Sequence, residues 1–160
     1  MFGAMESGAI RDDEPLGPCS LISRTCTTGW FDWIHGDLWL CPRGLLRYSR
    51  GISGMRSYLA SGRSEIDRTP ESARLKRTFT VAEMQPLVAS DRRNRWYSWD
   101  QIDRATLKWG ILDHSLHLDL LDGGHAKFLW MKLDGGFDIL QVALSEALPG
   151  RFRVVARPIG

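Results

Sequence analysis

The 160-residue sequence predicts a mainly β domain that ends in one amphipathic helix. Three observations carry this. Leu116, Leu118 and Leu120 alternate with His117 and Asp119, the period-two pattern of a strand with one buried face. Asp122-Gly123-Gly124 is a hairpin signal and leads into a second strand through Phe128 and Trp130. Phe137, Leu140, Leu144, Ala147 and Leu148 then fall on one helical stripe, which Pro149-Gly150 stops.

Side-chain parity orients the hairpin. A three-residue loop at 122–124, a type I turn with a left-handed glycine bulge, pairs Leu121 with His125, Leu120 with Ala126, Leu118 with Phe128 and Leu116 with Trp130. Leu116, Leu118, Leu120, Ala126, Phe128 and Trp130 then face inward. Asp119 lies opposite Lys127 outside, an attraction of about 0.2–1 kcal/mol. A slip of one residue would turn the apolar set to solvent. Asp134 is placed to cap the helix, because an Asx carboxyl accepts from first-turn amides.

The upstream chain reads as follows. Residues 1–17 form an acidic, Gly- and Pro-containing disordered tail. Cys19–Ser23 is a short strand. Asp37–Cys41 and Leu45–Ser49 form a hairpin about Pro42-Arg43-Gly44, in which Gly44 is free to take positive φ. Alternation in the return strand is imperfect, so its register stays open. Residues 50–74 are an insertion rich in Arg, Ser and Gly. Leu75–Val81 has strand composition. Residues 82–95 are ambiguous and end in the exposed turn Asp91–Arg95. Trp96–Trp99 and Ala105–Trp109 are strands, with a turn at Asp100–Asp103. The single domain spans 18–150, and 151–160 is a tail that adds an edge strand or stays irregular.

Hydrophobic residues make up 43% and charged residues 25%, ordinary for a globular chain. Net charge is +2 but unevenly placed: −4 over 1–42, +7 over 43–108 and −1 over 109–160. The basic middle suits an acidic partner, nucleic acid or an anionic membrane. The sequence has no 18-residue apolar run to cross a bilayer. It also lacks the charged and apolar regions of a secretory signal, so a cytoplasmic location is expected. Cys19, Cys26 and Cys41 are odd in number and irregular in spacing, so buried reduced thiols are expected.

Gly36-Asp37-Leu38-Trp39-Leu40-Cys41-Pro42-Arg43-Gly44-Leu45-Leu46 resembles the "G-x-L-x-L-x-x-x-G-L" hairpin of the pleckstrin-homology-like superfamily, including bacterial PH-like and GRAM-like domains. Trp99-Asp100-Gln101-Ile102, the two closing strands around Asp122-Gly123 and the terminal helix resemble that family's closing half. Together the segments span 19–148. The resemblance implies a bent antiparallel barrel of about seven strands, plugged at one end by the helix. It also implies anion or lipid binding near the first hairpin, here by Arg43, Arg47 and Arg50.

The sequence holds no G-x-S-x-G elbow, P-loop or dinucleotide fingerprint. His114 and His117, three apart on a strand, face opposite ways, and His117 with His125 lacks a third ligand, so no metal and no cofactor are expected. The histidines read as exposed surface groups, and Asp100 and Asp103 as turn residues. The leading expectation is a non-catalytic interaction module that binds a protein partner or self-associates. Arg92, Arg93, Arg95, Trp96 and Tyr97 are its candidate partner-binding residues. The alternatives are a peripheral binder of anionic lipid through 43–77, a weak nucleic-acid binder, and an enzyme with a dispersed site. The interleaved Arg92–Tyr97 run suits phosphate contact and base stacking, although a pI of 8.6 is short of a strongly basic domain.

Overall fold

In the computed structural model, residues 15–28, 36–49 and 76–155 are described. The chain is mainly β, with two sheets and a C-terminal helix. Strands β1 (Cys19–Cys26), β2 (Gly36–Cys41) and β3 (Gly44–Ser49) are followed by the short β4 (Lys76–Arg77), helix α1 (Val81–Ser90) and β5 (Arg95–Ser98). A 3-10 turn (Trp99–Gln101) leads into β6 (Ile102–Lys108), β7 (Asp113–Leu120) and β8 (His125–Met131). A second 3-10 turn (Lys132–Asp134), helix α2 (Phe137–Ala147) and β9 (Phe152–Val155) complete it. The first sheet has the order β4-β1-β2-β3-β5 and the second β8-β7-β6-β9. Among the described residues they do not close into a barrel. They meet at Thr27 and Leu129, which exchange backbone hydrogen bonds of 2.8 and 2.9 Å.

The first sheet is buried on both faces, which explains its imperfect alternation. Ile22, Leu38 and Leu45 point into the core between the sheets, with Leu107, Leu116, Phe128 and Leu140. Their chain neighbours Leu21, Trp39 and Leu46 point the other way, into a second cluster with Leu16, Phe79 and Met84. When both faces are covered, strands read as continuous apolar runs. Helix α1 supplies part of this second cover, through Val81 and Met84. It occupies the segment that the sequence leaves ambiguous. Thr80 caps it reciprocally with Glu83, the two bonds being 3.0 and 3.2 Å. Pro86 inside it removes a donor and hides the helix from pattern reading. Leu75–Val81 is therefore not one strand: of its described residues Lys76 and Arg77 are, and Val81 begins the helix.

Cys19 and Cys41 form a disulfide, contrary to the expectation of reduced thiols. They stand opposite each other across β1 and β2, continuing the Ser20–Leu40 register, with Cα atoms 4.2 Å apart. Cys26 is a buried free thiol. The tail boundary also moves, since Leu16 is buried in the second cluster. Residues 1–14, and the insertion up to residue 75, lie outside the described residues.

The closing meander keeps its predicted faces but not its predicted register. The structure pairs Leu116 with Phe128, Leu118 with Ala126 and Asp119 with His125. The loop still has three residues, but they are 121–123, closed by Leu120 N–H to Gly124 O at 2.8 Å. Gly123 takes the left-handed position at φ 88°, and Asp122 Oδ1 accepts from Gly124 N–H at 2.8 Å. The shift is two residues in pairing, so parity and the buried face survive. Asp119 then meets His125 at 2.8 Å, and Lys127 stands opposite His117 instead.

Asp134 does not cap α2. Gly136 does, in a left-handed conformation without a side-chain bond. Asp134 is buried and accepts from Ser23 and Thr25 of β1 at 2.5 and 2.6 Å. After α2, β9 returns alongside β6 in parallel, as the edge strand the tail allowed.

Candidate functional site

The basic and aromatic run at 91–97 turns the chain from α1 into β5. Its first residues hold one another. Asp91 Oδ1 accepts from Arg93 N–H at 2.8 Å and from its Nε at 3.2 Å. The Arg93 amide, foremost, and then its charge against opposing desolvation hold the Asp91 carboxyl below the usual range. Arg92 is exposed in the turn.

Arg95, Trp96 and Tyr97 form β5, at one edge of the first sheet. Trp99 N–H bonds to Arg43 O at 3.0 Å. Ladder bonds alternate, so Tyr97 and Arg95 also face β3, and the backbone of Trp96 faces outward. Trp96 packs on the second cluster and Tyr97 on the main core, where its ring meets Phe128 edge-on at 5.7 Å. Burial raises the Tyr97 phenol above its ordinary pKa.

A cleft of about 590 Å³ opens beside this edge. Arg95, Trp96 and Tyr97 line one wall. Asp100 and Gln101 line the corner, and Leu120, Leu121, Asp122, Gly124 and His125 line the other wall. The walls are tied to each other: Leu121 N–H donates to Gln101 O at 3.0 Å. The corner is held by Gln101 Oε1, which accepts from Ser98 N–H at 3.2 Å, and by a hydrogen bond from Ser98 Oγ to Asp100. Trp99 Nε1 donates to Pro42 O at 2.9 Å. The cleft is amphipathic. Leu120, Leu121, Trp96 and Tyr97 are its apolar residues, and Arg95, Asp100 and Asp122 its charged ones.

The structure thus brings together Arg95, Trp96 and Tyr97 of the five candidate partner-binding residues and leaves Arg92 and Arg93 out of the cleft. Its opposite wall was read in the sequence as the closing hairpin, with Leu120 facing inward, Leu121 paired with His125 and a turn at 122–124. The structure instead places Leu121 inside the hairpin loop, where it stands 63% exposed.

Of the candidate anion-binding residues near the first hairpin, Arg43 and Arg47 are described. Arg47 is fully buried. Its guanidinium donates to Arg93 O at 2.9 Å and to Cys26 O at 3.2 Å, so it is a structural cross-link rather than a lipid contact. Arg43 is exposed in the β2–β3 turn, and Arg50 lies outside the described residues. Gly44 does not use positive φ. Its role is close approach: a Cβ there would fall 2.1 Å from Tyr97 O.

Among the described residues no three His, Cys, Asp or Glu side chains are grouped to hold a metal. His114 is not the exposed group expected. It is 1% exposed and sits among Trp109, Phe137 and Trp130, with ring centroids 4.5, 5.0 and 5.8 Å away. No helix among the described residues is long and apolar enough to cross a membrane. No protein-family model matches this chain, and no curated protein matches it.

Proposed function

We propose that this chain is a non-catalytic, PH-like interaction module that binds a segment of a protein partner in the cleft beside β5. The observation that carries the reading is the pairing of β5, an edge strand among the described residues, with a facing amphipathic wall. Extended peptides add to such edges through main-chain bonds and place alternate side chains in neighbouring pockets. Here the outward backbone of Trp96 offers the bonds, and the Leu120–Leu121 wall offers the pocket. Asp100 and Asp122 outnumber Arg95 among the fixed charges of the lining, which favours a partner segment that carries apolar and basic residues. The PH-like part of the reading is supported by element order: β1, β2, β3 and β5 in one sheet, the β6–β8 meander, then α2.

The test is selection of peptides from a displayed random library on the immobilised chain, followed by titration against variants. Asp100→Lys and Leu121→Ser should each weaken selected peptides about tenfold, the scale of one lost anchor. Peptides that bind both variants as tightly as the parent would remove the cleft from the account. Robust turnover of a defined substrate by the pure protein would overturn the non-catalytic reading.

A further inference from the structure

Five of the eight large apolar side chains exposed among the described residues stand on two adjoining connections. Trp109, Ile111 and Leu112 belong to the β6–β7 turn, and Met131 and Leu133 to the end of β8 and the turn after it. Lys132 N–H donates to Leu112 O at 2.9 Å, which joins the two connections into one tip. Exposure is graded. Leu112 is 78% and Ile111 64% exposed at the apex, whereas Met131 is 42% and Trp109 38% exposed. Trp109 is anchored on Phe137 at 4.9 Å, and Lys132 Nζ lies 4.6 Å from its ring centroid. The turn is tight, because a Cβ on Gly110 would fall 1.8 Å from Asp113 O.

We propose that this tip is a contact with the surface of an anionic lipid bilayer. Ile111 and Leu112 enter the acyl boundary, Trp109 lies at headgroup level, and Lys108 and Lys132 meet lipid phosphates. The graded order of aliphatic apex, aromatic base and basic flank matches the layering of a bilayer interface. The charges support it. The exposed charged residues on the two connections and at their strand ends are both lysines, Lys108 and Lys132. Asp113 is half-buried, and Asp134 is buried against Ser23 and Thr25. Asp138, exposed on the first turn of α2, is the acidic group whose field reaches this corner at His114. The tip shares no residue with the cleft, so this contact stands or falls separately from the partner reading.

The experiment is co-sedimentation of the full chain with phosphatidylcholine vesicles, with and without phosphatidylserine, over a salt series. The expected result is binding to the anionic vesicles that weakens with salt. Ile111→Asp combined with Leu112→Asp should reduce it at least about tenfold, since two aliphatic side chains lose their burial. Lys108→Gln with Lys132→Gln should reduce it on anionic vesicles alone. In the unmodified chain, brominated lipid should quench tryptophan emission, and Trp109→Phe should remove that quenching. Three results would each overturn the proposal: no binding at low salt, binding unchanged in the apex variant, or an apex variant that loses self-association while vesicle binding persists. The last would assign the tip to a second copy of the chain.

Discussion

The Thr25 hydroxyl donates to the Asp134 carboxyl at 2.6 Å, and this bond ties β1 to the turn that follows β8. Ser23 donates to the same oxygen at 2.5 Å, and Met131 N–H donates to Thr25 Oγ1 at 3.2 Å. With the Thr27–Leu129 bridge, the two sheets are thereby joined at neighbouring points. Asp134→Ala leaves two buried hydroxyls without their acceptor. The expected loss is about 2–3 kcal/mol of stability, the desolvation cost of the orphaned groups. Urea unfolding measures it, and a loss under about 0.5 kcal/mol, the scale of an ordinary surface substitution, would show that the carboxyl is not a fastener.

The Cys19–Cys41 bond closes a loop with a sequence separation of 22. Cross-linking a loop of this size removes unfolded-state freedom worth about 3 kcal/mol. Cys41→Ser should lower the unfolding midpoint under oxidising conditions, and dithiothreitol should lower the parent to match. Cys26→Ser should leave the response to reductant intact. A parent whose midpoint ignores reductant would show that the pair is not a working cross-link. Such bonds persist in oxidising compartments, which bears against the cytoplasmic expectation.

Faces were legible in the sequence wherever one side of a sheet is buried. The inward set of the closing meander followed from parity. Its register did not, because a shift of two residues leaves parity unchanged and only the loop geometry at Leu121–Gly123 decides it. The β2–β3 hairpin was legible as a hairpin but not in its faces, since Leu45 and Leu46 are both buried, in opposite clusters. Half of the cleft was visible as the Arg95–Tyr97 run. The other half comes from residues more than 20 positions later, and nothing local links them. The burial of His114 was within reach: it shares the parity of Leu116 and Leu118, and the strand begins at Asp113 rather than Leu116.

Gly44 sets the distance between β3 and β5. Its missing Cβ is what lets Tyr97 O and Ser98 Cα approach, at 2.1 and 2.9 Å from where that atom would stand. Backbone cannot yield there as a flexible side chain could. Gly44→Ala should cost about 1–3 kcal/mol, as overpacking does, and should displace the Arg95–Ser98 edge. Amide exchange of β5 should accelerate more than that of β7. Equal protection in the two strands would show that β5 tolerates the methyl group.

His114 gives the fold a pH dependence of defined sign. Burial, and then the charge of Lys132, lower its pKa from 6.5 to about 4, against a smaller opposing effect of Asp138. The unfolded chain therefore binds the proton more readily than the folded one between those values. Stability is fully present above about pH 6.5, falls as the pH drops toward about 4, and levels off below. The slope from one such group is at most about 1.4 kcal/mol per pH unit. His117, also lowered mainly by burial, adds a contribution of the same sign. His114→Phe keeps an aromatic ring among Trp109, Trp130 and Phe137 but removes the titration. The difference in unfolding free energy between parent and variant, measured by urea titration across this range, should grow in the variant's favour as pH falls. A difference that stays constant with pH would show that His114 is not the group responsible.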